Sequence, residues 1–248
     1  MGLLPYTTCM PITQQLRSSM DGLRDTFASS LGDNLESLVL YGSSVRNDFS
    51  RGSSDINLLI VLKQNTAAAQ RSISQTIRDS GLNISPLVLS SKGLDRSMQA
   101  FALKFSDIAR RDELLYGTDP FSGFEVSIPR RQFLLEQGLR NSWMRLGNAY
   151  IQNTDQPERY LRILRGAVPR IFADLAELLR LEGSEVPDER RLQAPLLARE
   201  LGIEQALLDT LIGLREGSDR SADIHELHRQ LLDVLQGALD YMAGRWEL

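Results

Sequence analysis

The sequence predicts an α/β domain on a mixed sheet, followed by an all-α helical bundle. In residues 1–120, short apolar runs alternate with helical stretches and with Gly, Ser and Asn punctuation. After residue 129, apolar residues recur every three or four positions through to the end of the chain. Between them, residues 118–129 (TDPFSGFEVSIP) hold Pro, Gly and Ser and few helix signals. The expected domains are therefore 1–120 and 121–248.

Residues 11–31 place Ile12, Leu16, Met20, Leu23 and Phe27 on one helical face, and Gly32-Asp33-Asn34 ends that helix. Residues 38–41 (LVLY) form a buried strand, and 44–54 a loop with one helical turn at its start. Residues 56–62 (INLLIVL) are a second strand. A helix follows over 65–80, with Thr66 as N-cap and Gly81 as its stop. Residues 83–90 are a third strand, and Pro86 places it at a sheet edge or at a bulge. Residues 101–108 are expected as a fourth strand, although their alternation is imperfect. A helical turn then leads into Leu114-Leu115-Tyr116-Gly117.

In the second half, Phe133, Leu139, Trp143, Leu146 and Tyr150 mark one helix. Leu161, Leu164, Val168, Phe172, Leu175 and Leu179 mark the next, with Pro169 predicted to kink it. The last helix is expected over 221–245. Short connections favour an up-and-down bundle.

Composition narrows the function classes. The chain has 248 residues, 42% hydrophobic and 24% charged, with a net charge of −4, which is ordinary for a globular protein. A uniformly basic face for nucleic acid is not indicated. One cysteine, Cys9, excludes an internal disulfide framework and a thiolate metal cluster, and fits the cytoplasm. No apolar run approaches the roughly 20 residues of a membrane span. The first residues, MGLLPYTTCMPI, lack a basic region followed by a long apolar one, so no secretory leader is expected.

The densest chemistry lies in LVLYGSSVRNDFSRGSSDINLLIVL. A strand that stops at Gly42 and turns through Ser43 and Ser44 presents free backbone amides to an anion. Gly42 has no Cβ to hold a phosphate away. Arg46 and Arg51 in the following loop are candidate phosphate contacts, though solvated loop arginines are the commoner case. Asp55 and Asn57 are two apart in a strand, so they face the same way. Two carboxylates at such positions bind a hard divalent cation.

Tyr41-Gly42-Ser43, eleven intervening residues, then Asp55-Ile56-Asn57-Leu58 resembles the signature of the nucleotidyltransferase superfamily, which includes kanamycin-type enzymes and the small MNT proteins. The helical half resembles in layout the HEPN-related domain that follows in the kanamycin-type enzymes. The resemblance implies a nucleoside triphosphate such as ATP at Gly42, Ser43, Ser44 and Arg46. It also implies Mg²⁺ held by Asp55, the residue at position 57, and a third acid on a later strand. In this chain position 57 is an amide, and 83–90 (NISPLVLS) contains no acid. Asp107, on the next expected strand, is the nearest substitute.

Two charges about 4 Å apart interact by about 4 kcal/mol at an effective dielectric of 20. Loss of carboxylates therefore weakens Mg²⁺ binding severely, while phosphate binding through backbone amides survives. The leading expectation is a nucleotide-binding protein with impaired or absent metal-dependent transfer, in a regulatory role or in interaction with a protein partner. The first alternative is an active enzyme moving a nucleoside monophosphate to a small-molecule or protein hydroxyl.

A second alternative rests on Arg220 and His225, separated by four residues, which resemble the Arg-x4-His pattern of HEPN ribonucleases. His225 and His228 lie three apart on the last helix, and an exposed helix surface is the expectation for both. Trp143, Tyr150 and Tyr160 are expected in the bundle core. Glu125 and Glu136 are candidate bases that nothing in the spacing singles out.

Overall fold

The apolar runs around residues 38–41 and 56–62 pair antiparallel at the centre of a four-stranded sheet. The computed structural model describes residues 14–45, 56–217 and 223–246. These form two units, Met1–Val126 and Ser127–Leu248.

The first unit runs α1 (Gln14–Leu31), β1 (Leu35–Tyr41), β2 (Ile56–Leu62), α2 (Ala67–Ser80), β3 (Ile84–Ser90), α3 (Ser91–Ala100), α4 (Ala102–Ala109) and β4 (Asp112–Gly117). Sheet order is β3-β2-β1-β4. β1 is antiparallel to both neighbours, and β2 is parallel to β3. A parallel pair needs a crossover, which α2 supplies.

Both sheet faces are covered, which is why β2 reads as a near-continuous apolar run. Leu38, Leu40, Leu58 and Ile60 pack with Met20, Leu23 and Phe27 of α1 and Ile73 of α2. Val39, Leu59 and Val61 pack with Leu94 of α3, Phe105 and Ile108 of α4, and Phe121. Thr66 caps α2, its side chain accepting from the Ala69 amide, and Gly81 ends it in the left-handed region. β3 lies at a sheet edge, as Pro86 predicts.

Residues 101–108 are not a strand. They form α4, with Ala102, Phe105 and Ile108 buried. That three-residue spacing is helical, and it explains the imperfect alternation. The fourth strand is instead β4, where Ser37 opposes Gly117. Gly117 has φ +81°, and an added Cβ would overlap the Glu36 carbonyl, with the carbonyl carbon 2.8 Å away. Only glycine lets the two backbones approach this closely.

The second unit contains α5 (Ile128–Ile151), α6 (Pro157–Leu181), α7 (Arg190–Leu201), α8 (Gln205–Glu216) and α9 (Ile224–Ala243). α6 packs against the other four and carries the largest buried face, including Tyr160, Leu164, Val168 and Phe172. It runs as one helix through Pro169. Arg131 of α5 donates through Nε to Glu177 of α6 at 2.8 Å, and Glu177 is buried. Arg170 donates to Asp174 one turn on, at 2.8 Å. This pair lies against Gly138 of α5.

Candidate functional site

β1 ends at Tyr41, and the chain turns at Gly42 with φ +79° into a short 3-10 segment, Gly42–Val45. Ser43 and Ser44 belong to that segment. The Gly42 amide donates to the Arg111 carbonyl at 3.4 Å, tying the turn to the start of β4.

Register aligns four residues across this end of the sheet. Ser85 of β3 opposes Asn57 of β2, Asn57 opposes Tyr41 of β1, and Tyr41 opposes Asp112 of β4. Opposed residues share a face, with about 5 Å between neighbours. Asn57 alternates with Leu59 and Val61, so the row belongs to the face covered by α3 and α4. Asn57 is half-buried and Ser85 exposed. Asn57 Nδ2 lies 3.1 Å from the point that a Cβ on Gly42 would occupy. The amide thus covers the first residue of the turn.

Asp112 is the row's single carboxylate. Partial burial, and then the charge of Asp119, push its pKa above the ordinary 3.8. Burial likewise raises the Tyr41 hydroxyl. Asp112 stands two strands from Asn57, roughly 10 Å across the sheet. Ser85 and Asp112 were not candidates in the sequence, because only the register brings them into line.

Asp107 does not join the row. It lies on α4 and pairs with Arg110 at 3.4 Å and more closely with Arg111. Its expected place on a strand is corrected by the helical course of 102–109. Asp55, Arg46 and Arg51, like Arg220, lie outside the described residues.

Among the described residues no group of three or more His, Cys, Asp or Glu could hold a metal ion. Mg²⁺ requires oxygen ligands in near-octahedral array and keeps its waters unless anions replace them. Among the described residues, the row offers two neutral groups, Asn57 and Ser85, and one carboxylate, Asp112.

In the helical unit, His225 and His228 are not both surface residues. His228 is buried. Its Nδ1 meets the Tyr160 hydroxyl at 2.7 Å, and its ring stacks on Tyr150 at 3.9 Å. Burial lowers its pKa from 6.5. His225 is exposed, with Nδ1 at 2.6 Å from the Tyr150 hydroxyl. Tyr160 is a core residue as expected, whereas Trp143 is 40% exposed. Glu136 pairs with Arg140, and Glu125 is exposed. A cavity of about 270 Å³ lies along α9 beside the α7–α8 connection, lined by Leu175, Ile203, Leu207 and Val234 and by Arg229 and Asp233.

A mixed four-stranded sheet whose first strand ends in a glycine turn, with a helical unit following in the chain, is an arrangement shared with a known nucleotidyltransferase structure. A solved structure, spectinomycin adenyltransferase AAD(9) from Enterococcus faecialis with ATP and spectinomycin, is similar over 90% of this chain and 99% of that one. The TM-score is 0.57 and the identity 12%, a likeness of fold. No family model and no curated protein matches this chain. No helix among the described residues is long and apolar enough to cross a membrane.

Proposed function

We propose that the protein binds an ATP-like nucleoside triphosphate at the Gly42 turn and does not support metal-dependent nucleotidyl transfer. Binding would serve a regulatory role or a contact with a protein partner, in the cytoplasm. One observation carries this reading: at the β2 position beside the turn, two residues after Asp55, stands the neutral Asn57, and Asp112 on the other side of Tyr41 is the one carboxylate of the row. The similarity to a structure solved with ATP supports the nucleotide as ligand.

Calorimetric titration with ATP, with EDTA and with Mg²⁺, tests it alongside a pyrophosphate-release assay. Expected are affinities that agree within about twofold between the two buffers, and no pyrophosphate above background. Binding that appears only with Mg²⁺, or pyrophosphate release abolished by Asp55→Ala, refutes the reading.

The adenyltransferase likeness favours a second reading, active transfer to a hydroxyl. It would use Asp55 and Asp112 as the anionic groups. Under it, Asp112→Asn abolishes turnover.

A further inference from the structure

A carboxylate two positions after Asp55 would serve phosphate only through a metal. Without the metal it repels the triphosphate. An amide reverses that polarity, because its N–H groups donate directly to phosphate oxygens. Here the amide is set against the turn: Nδ2 is 3.1 Å from the Cβ position of Gly42, while Asn57 is held in register between Tyr41 and Ser85. β2 positions it firmly, since Ile56 and Leu58 on either side are buried.

We propose that Asn57 is a direct ligand of the nucleotide's phosphate and takes the place of the metal, so that the triphosphate binds metal-free. Ser85, its neighbour in register, lies on the same face one strand farther from the turn. This proposal rests on the nucleotide-binding reading above and names the group that makes such binding independent of metal. The substitution of Asn for acid is then a change of ligand rather than a simple loss.

The test uses the full chain, with ATP as probe, titrated calorimetrically in EDTA and in Mg²⁺. The variants are Asn57→Asp, which keeps the volume and adds a charge, and Asn57→Ser, which shortens the donor. Circular dichroism and thermal melting check that both fold. Asn57→Asp is expected to weaken ATP binding in EDTA by about tenfold or more, through repulsion between like charges. Mg²⁺ should restore most of that affinity. Asn57→Ser should weaken binding in both buffers, with little response to Mg²⁺. Wild-type affinity of either folded variant in EDTA overturns the proposal while leaving wild-type nucleotide binding intact. A wild-type protein that does not bind ATP in EDTA overturns the underlying reading and this proposal together.

Discussion

The Asn57 side chain closes the space beside Gly42: its amide nitrogen lies 3.1 Å from where a Cβ on Gly42 would stand. The glycine also holds φ +79°. Two separate physical demands therefore fall on one position. Gly42→Ala should cost about 1–3 kcal/mol in urea unfolding, from left-handed backbone strain plus the tight contact. Combining it with Asn57→Ala should recover the contact share and leave the strain. A double variant no more stable than Gly42→Ala would show that the contact carries no energy.

Gly117 offers a harsher case. Its Cβ would meet backbone rather than a side chain, at the Glu36 carbonyl. Backbone paired in a sheet cannot step aside cheaply. Gly117→Ala should destabilise by about 3 kcal/mol or more, or prevent folding. Gly81→Ala is the control, since Gly81 is also left-handed but has open space around it. About 1 kcal/mol is expected there. Equal losses at the two sites would remove the argument from close strand approach.

Glu177 is buried and meets Arg131 at 2.7 Å, an ion pair between α5 and α6. Removing Arg131 takes away the closer of Glu177's basic neighbours and leaves the buried carboxylate with the longer contact to Arg180, at 3.9 Å. Arg131→Ala should therefore cost on the order of 3 kcal/mol. Arg131→Ala with Glu177→Gln should be milder than that single change. Chemical denaturation of both variants decides it.

Two buried groups tilt stability with pH in opposite directions. Burial raises Asp174 from 3.8 to about 6 in spite of its pair with Arg170, and Glu177 adds to the rise. The folded state then keeps a proton that the unfolded chain has released. Its stabilising contribution is full below about pH 4 and is lost as the pH rises through about 6. Measured against Asp174→Asn, the wild type should lose on the order of 3 kcal/mol across that window. His228 works the other way. Its lowered pKa means that the unfolded chain takes up a proton first, so stability falls as the pH drops below 6.5. Urea midpoints across this range should flatten on the acid side in His228→Gln.

The sequence made much of the first unit legible, and the failures have a shared cause. Thr66, Gly81 and Pro86 act locally, through a cap, a left-handed stop and a missing amide, so their effects follow from residue type. Residues 101–108 deceived because Phe101, Leu103 and Phe105 alternate, yet the buried set is Ala102, Phe105 and Ile108. A small alanine in the true stripe weakened the helical signal, and an exposed Phe101 strengthened the false one. His228 was misjudged because its burial depends on Tyr150 and Tyr160, which lie far away in the chain.

The candidate site divides along the same line. Residue order alone set Gly42 at a strand end and Asn57 near the start of the next strand, since alternation and turn chemistry operate over a few residues. That Asn57 reaches back to Gly42, with Ser85 and Asp112 falling into line beside it, depended on the pairing of four strands. Strand register is chosen by which faces α1 to α4 bury, a property of the whole packed sheet that no short segment carries.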